Sequence, residues 1–328
     1  MRIAIIIPAY NEHLTIERTI ESFYKQCPNA RIIIVNNNST DETALLAADT
    51  LKKLGALGEV MHERSQGKGN AVRRAFLEVD ADIYVMTDAD FTYPAERIHD
   101  LMRPVIDGWA DMVTGDRHSQ GHYEKENKRP LHNFGNSLVQ SLVNGLFNAS
   151  LADIMTGYRC FSRSFVKNYP ILVKGFEIET DMTLHALDKK FRILEIPVEY
   201  KDRPPGSFSK LNTLSDGALV LNTIMRILRF YRPMVFFGGL GLLLVLLGFI
   251  ASLPVLSDWC RYKYIYHIPL AILSTGLEII ALIVIAIALI LDSIADQDKR
   301  NFEIRMLNYS KPLLMRGDLV VIDTDKAH

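Results

Sequence analysis

Two carboxylates one residue apart, Asp88 and Asp90, close the apolar run Ile83-Tyr84-Val85-Met86-Thr87. On a strand, side chains two positions apart share a face, so the pair would present hard oxygen donors side by side. That donor set suits Mg²⁺ or Mn²⁺, and a cation held in this way binds the phosphates of a nucleotide. The spacing alone selects nothing, because the chain contains Asp-x-Asp four times, at Asp80/Asp82, Asp88/Asp90, Asp296/Asp298 and Asp323/Asp325. Only Asp88 and Asp90 follow a buried-strand pattern that delivers them to the carboxyl edge of a sheet, where open α/β sheets bind ligands.

The elements that must position this pair alternate regularly. Ile3 to Ile7 reads as a strand buried on both faces, followed by helical spacing over Thr15 to Tyr24. A second strand over Ile32 to Val35 precedes a helix from Thr43 to Leu54, and a short strand over Glu59 to His62 precedes a helix from Ala71 to Val79. The strand carrying Asp88 and Asp90 comes next, then a helix opened by Pro94 and running to about Asp107, then a strand over Met112 to Gly115. Strand and helix alternating in this way predict a doubly wound, mostly parallel α/β sheet. Neither a Gly-x-Gly-x-x-Gly turn nor a P-loop is present, since Gly67-Lys68-Gly69-Asn70 lacks the P-loop spacing.

Charge and composition remove other classes. A net charge of −1 offers no basic excess for nucleic acid. Three scattered cysteines and nine histidines without ligand spacing exclude a disulfide framework and a zinc centre. Pro233 to Ser257 carries no charge and Ile268 to Leu291 only Glu278, so each run is long enough to cross a bilayer as a helix. The chain opens on a strand-like run rather than a charged leader with a cleavage site, which implies that no signal peptide is removed and that the N-terminal domain stays in the cytoplasm.

Six motifs in order resemble a known family. Ile-Pro-Ala-Tyr-Asn-Glu after the first strand, Asn-Ser-Thr-Asp after the second, Gly-Lys-Gly-Asn-Ala before the third helix and Asp-Ala-Asp after the fourth strand are similar to the family 2 nucleotide-sugar glycosyltransferases. Asp153-Ile-Met-Thr-Gly-Tyr-Arg159 and Arg203-Pro-Pro-Gly-Ser-Phe-Ser-Lys210 resemble its polyprenyl-phosphate branch, which includes dolichol-phosphate mannose synthases and bacterial undecaprenyl-phosphate sugar transferases. The resemblance implies a GT-A catalytic domain (Rossmann-like, mostly parallel sheet). It implies a UDP-sugar or GDP-sugar donor, a polyprenyl phosphate acceptor, and Mg²⁺ or Mn²⁺ on Asp88 and Asp90. It puts Pro8, Tyr10, Glu12, Asn37, Lys68, Asp88, Ala89 and Asp153 around the nucleotide sugar. This chain has Asn36-Asn37 where the family often has an Asp pair, which leaves the base open.

A lipid phosphate is already ionised, so the acceptor needs cations rather than a base. Arg117, Arg129, Arg203 and Lys210, with Ser209 beside them, are the acceptor-phosphate candidates, because guanidinium forks match phosphate oxygens. Lys125, Lys128 and Arg129 form a basic cluster with an alternative reading as a patch for anionic headgroups. Glu179 and Asp181 read equally as helix-start charges or as site residues. An acceptor hydroxyl on another lipid would instead require a base, and a membrane-anchored nucleotide-sugar binding protein is the non-enzyme alternative.

The domain reading is 1–210 cytoplasmic and catalytic, 211–232 an amphipathic interfacial helix, 233–257 and 268–292 a two-helix transmembrane hairpin, and 293–328 a tail with a short strand over Asp318 to Ile322. Arg226, Arg229 and Arg232 before the first span, and Lys299, Arg300 and Arg305 after the second, outnumber Arg261 and Lys263 in the turn. The positive-inside bias therefore places both termini in the cytoplasm, with Trp259, Tyr262, Tyr264 and Tyr266 as an aromatic belt on the far side. Glu278 is costly in hydrocarbon and is either paired within the hairpin or part of a homo-oligomer contact.

Overall fold

The computed structural model describes residues 1–118, 130–175, 177–200 and 216–314. The chain divides into two compact units, Met1–Val220 and Leu221–His328. In the first, β1 (Ile3–Ala9), α1 (Ile16–Gln26), β2 (Arg31–Asn36), α2 (Thr43–Leu54), β3 (Gly58–His62), α3 (Lys68–Glu78) and β4 (Ile83–Met86) alternate as expected. A 3₁₀ turn at Ala95–Arg97 leads into α4 (Ile98–Ile106), so Pro94 caps that turn in an extended conformation rather than opening the α-helix. Then come β5 (Met112–Asp116), α5 (Pro130–Phe147), β6 (Arg159–Ser162), α6 (Arg163–Asn168), α7 (Ile178–Asp188) and β7 (Ile193–Pro197).

Among the described residues these strands form one seven-stranded sheet in the order β3-β2-β1-β4-β6-β5-β7. It is mostly parallel, and β6 runs antiparallel between β4 and β5. The alternating side chains of β1 explain its position. Ile5 and Ile7 join Ile16, Ile20 and Phe23 on one face, whereas Ala4 and Ile6 join Val72, Ala75 and Phe76 on the other. Both faces are covered, as a parallel sheet requires.

The strand order reverses at β1, with β2 and β3 on one side and β4 on the other. The β1–β4 register ends at Ile6 opposite Met86, whereas the β1–β2 register continues to Ala9 opposite Asn36. A crevice therefore opens between β1 and β4 at their carboxyl ends, the switch point of such sheets. Pro8 fits there for a backbone reason. Thr87 N donates to Ile6 O at 3.1 Å and Asn37 N to Ala9 O at 2.8 Å, so even-numbered β1 residues address β4. The nitrogen of Pro8 faces the side where the ladder has already stopped, and its missing N–H costs no sheet bond.

The second unit continues from α8 (Asp216–Tyr231) through a π turn at Met234–Gly238 into α9 (Gly239–Tyr262), then α10 (Ile268–Leu314). Two helical stretches, Met234–Tyr262 and Ile268–Tyr309, are long and apolar enough to cross a membrane. Only 11% of the most apolar window of each is buried, so large side chains such as Leu243, Ile250, Leu282 and Ile283 stay uncovered, unlike those of a soluble core helix. A Cβ on Gly241 would meet Ile285 Cγ1 at 2.5 Å, and one on Gly248 would meet Glu278 Oε1 at 2.7 Å, which fixes an antiparallel pairing of α9 and α10. Glu278 thus lies against the partner helix, where a small residue makes room for it. The turn is locked by Asp258, which accepts from Tyr266 N, His267 N and His267 Nδ1 at 2.9, 3.1 and 2.7 Å. The helix of the second span continues to Leu314, well past Leu291. Residues 211–215 of the expected interfacial helix and the expected strand at 318–322 lie outside the described residues.

Burial predicts which aliphatic truncations matter. Ile6 is fully buried at the strand divergence, whereas Leu172 is 85% exposed. Ile6→Ala should lower the thermal unfolding midpoint of the detergent-solubilised chain by about 5–15 °C. Leu172→Ala should leave it unchanged; equal shifts would contradict the assignment of the core.

Candidate active site

Loops from the carboxyl ends of β1, β2 and β4 meet at the crevice. Asn11 adopts a left-handed φ of 52°, its N donates to Ser39 Oγ at 3.0 Å, and its Oδ1 accepts from Thr40 N at 2.8 Å. Glu12 N donates to Thr43 Oγ1 at 2.8 Å. The loop carrying Pro8, Tyr10 and Glu12 is thereby laced to the loop that starts α2. Asn37 is buried and acts on the next loop, since its Oδ1 accepts from Gly67 N at 2.6 Å and its Nδ2 donates to Ser65 O at 2.8 Å. Its amide holds the segment that leads into Lys68.

Asp88 and Asp90 depart from the expected strand geometry. β4 ends at Met86, where its ladder with β1 ends, and the two carboxylates sit on the following turn rather than on one strand face. The turn is fixed by Thr19 Oγ1 donating to the carbonyl of Ala89 at 3.1 Å, by a φ of 61° at Phe91, and by Thr92, whose hydroxyl donates to Asp90 Oδ1 at 2.6 Å. Asp90 is buried; the Asp88 side chain is 27% exposed.

Lys68, the first residue of α3, reaches into this turn. Its ammonium donates to Asp88 Oδ1 and lies 2.5 Å from Glu179 Oε1. Burial alone would favour the neutral amine, yet the two carboxylates hold it protonated well above the ordinary lysine range. Glu179 is pushed up by burial, with Lys68 pulling the other way and the Asp88 charge adding to the rise. The helix starts at Lys68, three residues earlier than expected, because Gly67 adopts a φ of 131° that other residues avoid. A Cβ on Gly67 or Gly69 would stand 2.1 Å from Lys174 O or 2.3 Å from Val173 O, so the two glycines serve a close backbone approach.

A second cluster lies on the loop before β6. Arg117 Nε and Nη2 donate to Asp153 Oδ2 and Oδ1 at 2.6 and 3.0 Å, a bidentate pair with both side chains buried. Glu195 on β7 holds the loop by accepting from Ala152 N and Asp153 N at 2.7 and 2.9 Å. Arg159 is fully buried and donates to Thr156 O, Ile154 O and Thr183 Oγ1 at 2.8, 2.8 and 2.9 Å. A Cβ on Gly157 would stand 2.6 Å from Asp88 Oδ2, so the same loop packs directly on the Asp88 carboxylate. Gly157 N also donates to the hydroxyl of Tyr93, which is within electrostatic reach of both Arg117 and Asp88.

The structure thus brings Lys68 onto Asp88 beside Asp90, and Arg117 onto Asp153. It places Pro8, Tyr10, Glu12, Asn37 and Ala89 in the loops around them. Arg129, Arg203, Ser209 and Lys210 lie outside the described residues. Gly157 is legible only as one residue of the Asp153 to Arg159 motif, with no role of its own, and the spacing leaves Glu179 undecided. Glu179 and Asp181 stand in the same helical turn, yet one meets Lys68 and the other accepts from the hydroxyl of Tyr169 at 2.6 Å. No spacing rule separates them.

The family model described as glycosyl transferase family 2 matches residues 4–169, about half of the chain. Glycosyltransferase AglJ of Haloferax volcanii is 29% identical over 273 residues, covering 83% of this chain and 86% of that protein. An undecaprenyl-phosphate mannosyltransferase of Micrococcus luteus is 29% identical over 231 residues, covering 68% and 92%. Among solved structures, glucosyl-3-phosphoglycerate synthase from Mycobacterium tuberculosis in complex with Mn²⁺, UDP-glucose and glycerol 3-phosphate superimposes with a TM-score of 0.51 at 21% identity, covering 70% of this chain and 79% of that one. This likeness fixes the fold as the GT-A type.

The Arg117–Asp153 pair makes a signed prediction. Burial would raise the Asp153 carboxyl, but Arg117 and then His118 hold it below the ordinary carboxylate value. A depressed folded-state pKa gives stability that is present above the unfolded value and lost as pH falls through the folded one. In Arg117→Met the carboxylate stays buried without its fork, and acid relieves it by protonation. The gap in unfolding temperature between variant and wild type should therefore be wider at about pH 7 than at about pH 4. A gap that widens in acid would refute the pairing.

Proposed function

Because the chain belongs to glycosyl transferase family 2 and is a glycosyltransferase, we propose that it moves one sugar, with inversion, from a nucleotide diphosphate sugar to a polyprenyl phosphate. The observation that carries this reading is the Lys68 ammonium on Asp88, two residues before the buried Asp90, on the turn after β4 at the switch point of the sheet. A UDP-sugar is favoured over a GDP-sugar, in keeping with the UDP-glucose named for the M. tuberculosis structure. Undecaprenyl phosphate is the favoured acceptor, supported by the name of the Micrococcus relative and by the two apolar helices.

On this reading Asp88 and Asp90 are the carboxylates that would hold Mg²⁺ or Mn²⁺, since hard oxygen donors suit these cations. Among the described residues no three His, Cys, Asp or Glu side chains group into a metal site of their own. Two carboxylates with the donor's phosphates are the arrangement that such cations accept. When bound, the cation neutralises charge on the departing diphosphate. Lys68 is assigned to the diphosphate of the bound donor. An oxygen of the lipid phosphate attacks the anomeric carbon opposite the diphosphate, and the new carbon–oxygen bond forms as the bond to the diphosphate breaks. No proton moves, because the attacking oxygen is already ionised. Arg117 spends two fork nitrogens on Asp153, so the acceptor phosphate is assigned chiefly to Arg129, Arg203, Ser209 and Lys210. The proposed layout has residues 1–210 and both termini at the cytoplasmic face of the inner membrane, 211–232 on the headgroups, 233–257 and 268–292 spanning, and 293–328 as the tail.

Purified protein with undecaprenyl phosphate, Mn²⁺ or Mg²⁺ and a panel of radiolabelled UDP- and GDP-sugars should carry label into the organic phase, and chelation should stop it. Asp90→Ala should lower turnover at least about 100-fold; retained turnover would remove the metal reading. Arg203→Ala and Lys210→Ala should raise the acceptor KM with donor binding intact, and loss of donor binding instead would contradict their assignment.

A further inference from the structure

One stretch of chain approaches Lys68 at two points. Its flanking glycines leave room for the carbonyls of Val173 and Lys174, where a Cβ would collide, and its ammonium is met by Glu179, a few residues further along the same stretch of chain. Glu179 is itself buried, on the first turn of α7. A lysine stem has four rotatable carbons, so a buried ammonium needs a second anchor to stay at one place on Asp88. The glycines anchor the backbone and Glu179 anchors the tip.

We infer that Glu179 is a positioning residue for the donor: it fixes the Lys68 ammonium at Asp88 so that a nucleoside diphosphate meets a preset cation. The inference rests on the proposed nucleotide-sugar reading of the site. Glu179 acts through Lys68 and need not touch the donor. Its loss should therefore appear in donor affinity more than in kcat, and it should matter only while Lys68 is present. A merely structural Glu179 would lower stability without that dependence.

The test is a double-mutant cycle on the full-length protein, with UDP and GDP as probes in the presence of Mn²⁺, binding read by calorimetry and transfer read as KM and kcat. Glu179→Gln keeps the shape and removes the charge; Lys68→Met removes the ammonium. Each should weaken binding of the preferred nucleoside diphosphate by about tenfold or more, the worth of a charge-assisted bond. The double variant should bind no more weakly than Lys68→Met alone. Glu179→Asp, which keeps the charge one methylene further off, should fall between wild type and Glu179→Gln, and it keeps the test open if Glu179→Gln misfolds. Multiplying effects in the double variant, or binding by Glu179→Gln and Glu179→Asp equal to wild type, would overturn the inference while leaving the function intact. Wild-type protein that binds neither nucleotide and transfers no sugar would instead overturn the functional reading, and this inference with it.

Discussion

An ammonium group can be buried only where negative charge compensates the water it has lost. Lys68 meets this condition with Asp88 on one side and Glu179 on the other, and much of the first unit serves that contact. α3 brings the lysine, the turn after β4 brings Asp88, and α7 brings Glu179. Gly67 and Gly69 let two backbones approach where any side chain would collide. Asn37 fixes the loop that feeds α3. Segments far apart in the chain are therefore committed to one another through a single cation.

The same network runs on through Arg159. This guanidinium binds main-chain carbonyls and Thr183, and burial pulls its pKa down while the charges of Glu179 and Asp153 oppose the fall. It stands electrostatically between the Lys68 cluster and the Arg117–Asp153 pair. Its bonds to Ile154 O and Thr156 O also stiffen the loop that sets Gly157 against Asp88. The antiparallel strand β6 has a role here, since it returns the chain to β4 and delivers that loop to the Asp88 turn.

Residue types reveal some of this and conceal the rest. The alternation of the first four strands and helices was legible because β1 and β2 are apolar on both faces and their helices carry clear periodicity. β6 and β7 were not legible, since Arg159-Cys-Phe-Ser is four residues long and Ile193–Pro197 alternates weakly at a sheet edge. The spacing of Asp88 and Asp90 marks the pair but not its conformation. A period of two holds only while the ladder lasts, and it ends at Met86. Asn37 and Lys68 were found by resemblance, although what they touch is set by loops distant in sequence. Glu179 was undecidable from a helix-start position shared with Asp181. The two spans were plain because absence of charge over a long run needs no tertiary context.

The charge balance constrains the chemistry. Lys68, Arg117 and Arg159 are the cations of this network, and Asp88, Glu179 and Asp153 are its carboxylates. Matched in this way they offer fixed dipoles and little net positive potential, and Asp90 adds a further negative charge. On the proposed reading two anions, a nucleotide diphosphate and a lipid phosphate, must still be brought together. The surplus positive charge then has to come from outside the buried network, from a divalent cation that arrives with the donor and from basic residues such as Arg129, Arg203 and Lys210. A site with no surplus positive charge of its own avoids holding unpaired cations in its interior between turnovers, and it makes assembly of the charged state depend on the arrival of substrate.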